Sequence, residues 1–294
     1  MSSSPLPNRH LEKLDEDHLY HIGYAKNEEL YTVFSGVKFV VIGGSKNRMA
    51  SFAELIAKVL GHASIASKDL SITRTDRFDL FKVGPVLSIS HGMGMPSMSI
   101  LLHEIIKVLY YVKATNAIII RIGTSGGLGV APGTVVVSSK AFNAFAKEEH
   151  EVIILGKRVT RPAVLDEQLA KAIVSCQDDK SYVTTLGGTM STDDFYEGQC
   201  RLDGAICEHS EKDKLDYLHT LRDKGVTNIE MESAALAAIC HKANIKCAIV
   251  CVTLLNRLVG DQILVPEEEY KAFQTRPQEL VAKFIKAKLG NGFS

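Results

Sequence analysis

The sequence predicts a single α/β domain whose central mixed β-sheet is flanked by helices. Short apolar runs typical of buried strands alternate along the chain with longer segments whose apolar residues recur at helical spacing. No internal repeat and no low-complexity linker interrupts this alternation, which favours one α/β domain over two separate ones. A chain of 294 residues, 46% of them apolar, is large enough to bury a sizeable core.

Charge, apolar segments and cysteine content indicate which partners and which cellular compartment to expect. The 34 basic and 34 acidic residues give a net charge of zero, so no overall field draws the protein to nucleic acid or membrane. The N-terminal MSSSPLPNRH lacks the apolar segment of a secretory signal, and the longest apolar run, residues 247–255, is far too short to cross a bilayer. Six cysteines without a CxxC pair do not form a disulfide framework. We therefore expect a cytoplasmic protein without nucleic-acid or membrane partners.

The N-terminal part of the chain divides after residue 17. Residues 1–17 are polar, and we predict a flexible segment there, followed by one domain over residues 18–294. The domain opens with HLYHIGY, in which His21 has apolar neighbours. A lone histidine in such a setting is usually a packed residue, so the local pattern favours a core role for it.

The first central strand leads into a turn with the layout of a phosphate site. VKFVVI, residues 37–42, is predicted as a buried strand, and a helix is predicted from Met49 to Leu60. Between them, GGSKNRM places Gly44 and Arg48 at the start of the helix, where backbone N–H groups bind anions. The segment is neither a dinucleotide fingerprint nor a Walker P-loop, and an ordinary βα turn explains it equally well.

The next unit carries more charge and a second strand–helix connection. Arg77 belongs to RTDRFDL, ahead of a strand-like FDLFKV, and charges in such a hairpin are usually just solvated. Residues 86–90 form the following predicted strand, and HGMGMPS leads from it into a helix over residues 97–112. His91 and the neighbouring methionines suit a site lining, a core or a turn equally well.

The stretch Asn116–Gly129, NAIIIRIGTSGGLG, is the segment around which the chain is organised. Residues 117–120 are predicted as a short buried strand that Arg121 ends, and a glycine-rich turn with Thr124 follows. Ligands of open α/β sheets lie beyond the carboxyl ends of the strands. A guanidinium, a hydroxyl and backbone N–H groups at this edge therefore suit an anion. A tight turn with a surface arginine is the alternative.

The second half of the chain continues the alternation. Residues 140–165 are mixed and loop-like, with one short strand candidate at residues 152–155. Glu230, Met231 and Glu232 stand where a strand meets a helix, a place where acidic residues commonly pair with the helix dipole. Further strands are predicted in PGTVVVSS and at residues 226–230 and 246–255, and helices at residues 165–176, 211–224 and 266–289, the last interrupted by Pro277.

Residues 192–203 are too polar for a core and too rich in glycine and aromatic residues for an ordinary linker. They contain Gln199 and Arg201, an amide two residues from a guanidinium, which together meet the acceptor and donor edges of a base. The arginines of the two predicted anion sites suit a phosphate dianion, and the carboxylate of Glu232 suits vicinal ribose hydroxyls. The set therefore fits a phosphate, a sugar and a polar heterocycle side by side.

These motifs, taken in order, resemble those of the uridine phosphorylases in the nucleoside phosphorylase-I family, and of the eukaryotic members most of all. The resemblance runs from about His18 to Leu289 and rests on GGSKNRM, HGMGMPS, IIRIGTSGG, DFYEGQCRLDGA and NIEMES. It implies the family's α/β/α fold and a reversible phosphorolysis for pyrimidine salvage. In that reaction a pentosyltransferase converts uridine and phosphate into uracil and ribose 1-phosphate.

The resemblance also implies roles for single residues. Phosphate is expected to bind Gly44, Arg48, Arg121 and Thr124, with Arg77 donated by a neighbouring subunit. Ribose is expected to bind Glu232, Met231 and Glu230, with His21 reaching across the interface to the 5′-hydroxyl. Uracil is expected to bind Gln199, Arg201 and Phe195, under apolar closure by Leu254 and Leu255. The residues expected to act in catalysis are Arg121, Gln199 and Arg201.

Shared sites of this kind imply a homo-oligomer, and the eukaryotic character of the motifs favours a homodimer. A monomer is then not competent, since it lacks the His21 and Arg77 of a neighbour. Inorganic phosphate is a co-substrate, and no cofactor or metal is expected. Phe78 stands where some bacterial members carry a potassium-binding glutamate, which argues against that ion.

Two alternative functions remain open. One is another enzyme of the same fold, a purine nucleoside phosphorylase or a nucleosidase. Purine members carry an aspartate just after the last central strand, where this chain reads VTLLNRL. The other is a catalytically silent nucleoside-binding paralogue, which the presence of the whole residue set disfavours. Cys200, between the two base-reading residues, suits either redox modulation or packing.

Overall fold

Eight strands assemble into one mixed sheet in the computed structural model, which describes residues 6, 8–62, 64–178, 180–290 and 292. The strands are β1 (His18–Leu19), β2 (Tyr24–Ala25), β3 (Phe39–Gly43), β4 (Leu80–Val83), β5 (Val86–Ser90), β6 (Ile118–Gly127), β7 (Val135–Phe142), β8 (Glu149–Ile154), β9 (Lys157–Pro162), β10 (Thr184–Ser191), β11 (Val226–Glu230) and β12 (Cys247–Asn256). The helices are α1 (Glu28–Phe34), α2 (Lys46–Val59), α3 (Ser67–Leu70), α4 (Gly94–Tyr111), α5 (Glu167–Val174), α6 (Glu211–Asp223), α7 (Ser233–Lys242) and α8 (Glu267–Gly290).

The large sheet has the strand order β11-β10-β7-β12-β6-β3-β5-β4. Strands β12, β6, β3 and β5 lie parallel at its centre, whereas β4 pairs with β5, and β7 with β12, in antiparallel fashion. Strand β11 pairs with β10 and also, antiparallel, with the end of β6, so this side of the sheet closes on itself. The sheet is therefore mixed, as predicted.

Helices cover both faces of the sheet. Side chains alternate along the inner strands: in β3, Val40 and Ile42 belong to one apolar cluster, and Phe39 and Val41 to another. The first cluster includes residues of α1, α4 and α7, and the second includes residues of α2, α5 and α8. Burial of both faces explains why these strands are continuous apolar runs rather than alternating ones. The predicted fold class is confirmed.

The central strand is longer than predicted. β6 runs from Ile118 through Arg121 to Gly127, so the glycine-rich segment expected to form a turn is part of the strand. Its glycines pair with β12 on one side and with β11 on the other, and these ladders hold residues of low β propensity. The glycines also permit close packing, because a Cβ atom on Gly126 would lie 2.7 Å from Cγ of Arg257. The predicted turn was wrong because the glycines here let neighbouring side chains pack close to the strand and do not reverse the chain.

Residues 140–165 also differ from the prediction. They contain the end of β7 and the hairpin β8–β9 instead of a loop with one short strand. Leu155 and Gly156 occupy the hairpin turn with positive φ angles of 51° and 73°. Such turns usually carry Asn or Asp before glycine, and the leucine removed this signal from the sequence.

Pro277 does not interrupt the last helix. α8 stays helical from Glu267 to Gly290, with Pro277 inside it. Beyond the proline, Leu280 and Phe284 are fully buried against the sheet, and this packing outweighs the loss of one backbone hydrogen bond. Although α8 is long, neither it nor any other helix of the described ranges is apolar enough to cross a bilayer.

The predicted N-terminal segment is only partly described. Residues 1–5 and 7 lie outside the described residues, whereas Arg9–Lys13 form a 3-10 helix. Asp17 is buried, and its carboxylate accepts hydrogen bonds from Nζ of Lys107 at 2.8 Å and from the hydroxyl of Tyr111 at 2.6 Å. Asp17 is thus attached to α4, and the division of the chain after residue 17 stays a prediction.

Candidate active site

A cavity of about 520 Å³ opens at the carboxyl ends of the central strands. It lies where β3, β5 and β6 end and where the chain passes from β11 into α7, an edge at which α/β sheets bind ligands. Its volume falls within the range of about 300–1,000 Å³ that is usual for small-molecule sites. Across the described residues, no group of His, Cys, Asp or Glu side chains is arranged to hold a metal ion. The predicted site residues that line the cavity are Gly44, Arg48, Arg121, Thr124, Phe195, Gln199, Arg201, Glu230, Met231, Glu232, Leu254 and Leu255.

One end of the cavity is cationic. Arg48, in the first turn of α2, donates through Nη2 to Oε1 of Gln274 at 3.1 Å. Burial and the nearby charge of Arg121 lower the pKa of Arg48. The Nε atoms of both arginines are buried and have no hydrogen-bond partner among the described residues. Two close guanidinium groups with unused donors, beside Gly44 and Thr124, suit an anion with several oxygens.

Arg121 is only 4% exposed, which excludes the surface arginine that the sequence left open. Its Nη2 lies 2.9 Å from Oε2 of Glu230 and also bonds the carboxylate of Glu232. Burial opposes ionisation of Glu232, but the charge of Arg121 lowers its pKa. Burial raises the pKa of Glu230 against the charge of Arg121, and the charge of Glu232 adds to that rise. One carboxylate is therefore held ionised while its neighbour tends to keep a proton.

The two glutamates differ in what they hold. Glu230 ends β11, and its carboxylate accepts from the N–H groups of Glu232 at 3.0 Å and Ser233 at 2.8 Å, which caps α7. Glu232 instead accepts from the N–H of Gly94 at 2.6 Å and bonds Arg121 beside the cavity. Both glutamates therefore pair with a helix terminus, Glu230 with that of α7 and Glu232 with that of α4, and both line the cavity.

The opposite end carries an amide, a guanidinium and an aromatic ring. Nε and Nη2 of Arg201 each donate to the carboxylate of Asp203 at 2.8 Å, and the guanidinium lies 4.4 Å from the ring centroid of Phe195. Nη1 of Arg201 makes no hydrogen bond within the described part of the chain. Gln199 is buried, with Nε2 at 3.4 Å from the carbonyl oxygen of Glu230. These groups suit a planar polar ring.

His21 and Arg77 do not line this cavity. Nδ1 of His21 lies 2.7 Å from Oε1 of Glu104, and the side chain is 40% exposed, so the core role that the local pattern favoured was wrong. The side chain of Arg77 is 69% exposed. Thr75 links the two, because its hydroxyl donates to the carbonyl of His21 at 2.5 Å and accepts from the N–H of Arg77 at 3.3 Å. Both residues therefore belong to one surface of the molecule, outside the cavity.

The HGMGMPS segment divides between core and cavity. His91 is fully buried beside Gly44, and burial together with the charge of Arg121 lowers its pKa to about 3, so its imidazole is uncharged. Met93, by contrast, lines the cavity. Of the roles that the sequence left open for this segment, the core and the site lining both occur in it.

The chain is similar to known proteins over nearly its whole length. The family model described as "Phosphorylase superfamily" matches residues 38–289. The chain belongs to the phosphorylase superfamily. "Uridine phosphorylase 1" of Mus musculus is 48% identical to it over 288 residues, which cover 97% of this chain and 93% of that protein. A crystal structure of uridine phosphorylase from Schistosoma mansoni in complex with thymidine has a TM-score of 0.92 at 39% identity, covering 97% of this chain and 99% of that one.

Members of the phosphorylase superfamily that resemble this chain differ in activity. "Inactive uridine phosphorylase B" of Schistosoma mansoni is 38% identical over 289 residues, which cover 97% of both chains. Membership therefore establishes the family and the fold, whereas turnover depends on the residues of the site.

In this phosphorylase superfamily member the end of the cavity that carries Gln199 and Arg201 includes residues that the sequence analysis missed. Arg257 and Asp261, in the segment after β12, both line it. Arg257 is fully buried, donates through Nη2 to the carbonyl oxygen of Gln199 at 2.7 Å, and places Nε 2.9 Å from Oδ1 of Asp261. In the sequence, an apolar run that predicts a strand leads into Arg121, and the same kind of run precedes Arg257.

The aspartate of purine members is absent from VTLLNRL, yet Asp261 reaches the cavity from a few residues further along. Its carboxylate accepts from Nε of Arg257 at 2.9 Å, from Nζ of Lys214 at 2.8 Å and from the N–H of Leu202 at 2.9 Å. Burial opposes ionisation, but these contacts lower the pKa of Asp261. An ionised carboxylate held by three donors is not placed to give a proton to a purine.

Cys200 lies between an apolar cluster and the charged side chains of Arg257, Lys214 and Asp261. It belongs to a buried cluster with Met190, Leu218 and Leu221. Burial raises the pKa of its thiol, which lowers the fraction of reactive thiolate. Of the two roles that the sequence left open, the structure favours packing.

Proposed function

We propose that this protein is a pentosyltransferase that catalyses the reversible phosphorolysis of uridine to uracil and ribose 1-phosphate, in pyrimidine salvage. The observation that carries the proposal is one cavity with the half-buried Arg48 and the buried Arg121 at one end and Gln199 with Arg201 at the other. Two glutamates connect the ends, because Glu232 bonds Arg121 and the carbonyl of Glu230 lies against Gln199. Anion-binding, sugar-binding and base-binding groups in that order match phosphate, ribose and uracil.

In this proposal phosphate lies against the cationic end of the cavity. Its ligands are the two guanidinium groups, the hydroxyl of Thr124 and the backbone at Gly44. Glu232 accepts hydrogen bonds from the ribose hydroxyls, with Met231 and Glu230 beside it. Because Arg121 touches both phosphate and Glu232, the nucleophile and the sugar are held in a fixed relation, which lowers the entropy cost of the reaction.

The proposed reaction breaks the bond between C1′ of the ribose and N1 of uracil. As that bond stretches, positive charge grows on the sugar, and the base leaves with the bonding electron pair. Arg201 and Gln199 donate hydrogen bonds to the negative charge on the base, while a phosphate oxygen forms the new bond to C1′. The proton of hydrogen phosphate ends on the departing uracil, which balances the reaction.

A pyrimidine base fits the proposal better than a purine. Phe195 packs against the base, and Leu254 and Leu255 close the cavity with apolar side chains. Asp261 is already engaged by three donors and cannot serve a purine as proton donor. The uridine phosphorylase structure from Schistosoma mansoni with bound thymidine supports a pyrimidine nucleoside as well.

We propose a homodimer in which His21 and Arg77 of one subunit complete the site of the other. Neither residue lines its own cavity, and Thr75 fixes both on one surface. Glu104 holds Nδ1 of His21, which leaves Nε2 for the 5′-hydroxyl of a nucleoside in the neighbouring site. Arg77 adds a third guanidinium to the phosphate.

The proposed enzyme needs inorganic phosphate as co-substrate and no cofactor. Its partners are small molecules and a second copy of the chain, without nucleic acid or membrane. We also propose that it works in the cytoplasm. Six free cysteines, most of them buried, support a reducing compartment.

A substrate panel tests the proposed function. Purified protein is incubated at saturating phosphate with uridine, 2′-deoxyuridine, thymidine and inosine, and the released bases are separated by chromatography. Release of uracil from uridine, with inosine left intact, is the expected result. Release of hypoxanthine from inosine with uridine left intact would establish the purine alternative instead.

A further inference from the structure

A charge network behind the base end of the cavity is organised by Asp261. Its carboxylate contacts Arg257 through Oδ1, and Lys214 and the N–H of Leu202 through Oδ2. Its carbonyl oxygen also accepts from Nη2 of Arg201 at 2.5 Å. A single residue after β12 therefore holds the loop that carries the base-reading pair.

Both base-reading residues depend on this network. Arg201 is held directly by the carbonyl of Asp261 and, from the other side, by Asp203. Gln199 is held through Arg257, whose Nη2 donates to its carbonyl oxygen at 2.7 Å and whose Nη1 lies 3.4 Å from Oε1. These contacts fix which atoms of the amide and the guanidinium turn towards a base.

Lys214 belongs to the network although it does not line the cavity. It lies on α6 and is only 4% exposed, with Nζ 2.8 Å from Oδ2 of Asp261. Burial of an ammonium group is costly, and lysine is rarely buried unless it is paired. Lys212 on the same helix shows the ordinary alternative, since its side chain is 83% exposed and pairs with Asp216.

The network has an excess of positive charge. Lys214, Arg257 and Arg201 are cations, whereas Asp261 and Asp203 are the carboxylates that contact them. One positive charge is therefore left over at the end of the cavity where the leaving base is proposed to lie. Fixed charge in a buried site stabilises developing opposite charge far more than it does in water.

We propose that Lys214, acting through Asp261, is a positioning residue that fixes the base-reading pair and keeps its net charge positive for the departing pyrimidine. This inference rests on the proposed function, because it needs uracil to leave next to Gln199 and Arg201. Lys214 does not touch the substrate. Its effect is exerted through the carboxylate of Asp261.

The test compares Lys214→Gln with Lys214→Arg and with the exposed control Lys212→Gln. Gln keeps a hydrogen-bond donor but no charge, so kcat/KM for uridine should fall at least tenfold, while KM for phosphate stays within twofold of wild type. Arg keeps the charge and should recover most of the loss. Lys212→Gln should match wild type.

A better leaving group distinguishes this role from a merely structural one. The fluorine of 5-fluorouridine withdraws electrons, so its base leaves with less help from the enzyme. Lys214→Gln should therefore lose several-fold less activity with 5-fluorouridine than with uridine. Equal losses with both substrates, or no loss with either, would overturn the proposal.

The outcomes stay informative if a variant is unstable or if the proposed function fails. If Lys214→Gln does not fold, the double variant Lys214→Met/Asp261→Asn removes one charge of each sign and keeps the excess. Its ratio of 5-fluorouridine to uridine turnover should equal that of wild type, and a raised ratio would contradict the charge argument. Absence of uracil release by wild type would reject the proposed function itself, independently of any variant.

Discussion

Arg121 is the residue through which the two ends of the cavity are connected. It is buried beside Arg48 at the anion end and bonds the carboxylates of Glu230 and Glu232. Gly123 has to lack a side chain, because a Cβ atom there would collide with the guanidinium of Arg121. The geometry of this arginine therefore depends on a neighbour that contributes only backbone.

Replacing Gln199 by leucine should damage turnover without unfolding the protein. The amide donates to the leaving base in the proposed reaction, and one well-placed donor is worth roughly 100-fold in rate. We expect kcat for uridine to fall by about that factor, measured by uracil release, with an unchanged far-UV circular dichroism spectrum. Gln168→Leu, at an exposed position on α5, is the matched control. Full activity of Gln199→Leu would contradict its role at the base.

Glu230 should make stability depend on pH. Burial raises its pKa above the ordinary 4.5, so between that value and the raised one the folded protein keeps a proton that the unfolded chain has lost. Stability contributed by this group is then present at the acidic side of the window and is lost as pH rises through it. Glu230→Gln should remove this slope, which is at most about 1.4 kcal/mol per pH unit. Urea unfolding of wild type and Glu230→Gln at about pH 5 to 8 measures this slope, which arises from about one titrating proton. Equal slopes of unfolding free energy against pH in the two proteins would contradict the raised pKa.

At the scale of elements, the sequence correctly predicted strands that are buried on both faces of the sheet. Val86–Ser90 occurs within its predicted bounds, and all five of its residues are buried. β6 was only half predicted, since its glycines are held in a strand by partners far along the chain. The hairpin at Leu155 was missed because its turn lacks the usual residue before glycine.

The residues of the site also divide into those that the sequence could predict and those that it could not. Arg121 and Glu232 could be found because each stands at the end of a strand signal. Asp261 could not, since its role arises from contacts with Lys214 and Leu202, which are distant in sequence and gave no local pattern. Sequence reasoning therefore found residues that stand beside strand signals and missed those whose role rests on contacts between distant segments.

Gly126 in β6 links this element to the base end of the site. A Cβ atom there would lie 2.7 Å from Cγ and 2.9 Å from Cδ of the buried Arg257, whose guanidinium is held by Gln199 and Asp261. Gly126→Ala should cost about 1–3 kcal/mol of unfolding free energy, as overpacking does, and should lower kcat/KM for uridine because Arg257 holds Gln199. Gly290→Ala, where no atom lies near the added Cβ, is the control. Unchanged stability and activity of Gly126→Ala would contradict this packing argument.

At the scale of the whole molecule, the proposed site is incomplete within one chain. The cavity gathers two of the three expected phosphate arginines, and the third lies on a surface that it shares with His21. A subunit that offers these side chains to a neighbour needs that neighbour's side chains in return. The proposed dimer is thus a requirement of the proposed chemistry.

Mixing two inactive variants tests this arrangement. Arg77→Ala and Arg121→Ala should each be inactive alone, but a mixed dimer contains one site with both arginines intact. After subunit exchange at equal concentrations, activity should approach about a quarter of the wild-type value, since half of the dimers are mixed and each has one intact site. Lys113→Ala, a surface variant outside the site, replaces Arg77→Ala in the control mixture. Lack of any recovery despite exchange would contradict the shared site.

The most direct test of the account is uracil release from uridine with and without inorganic phosphate. A site that holds phosphate between Arg48 and Arg121 as the nucleophile predicts release that depends on phosphate, with ribose 1-phosphate formed in equal amount. Release at the same rate without phosphate would mean that water is the nucleophile and would contradict the role of the arginines. No release from a folded protein would place this chain with its inactive relatives.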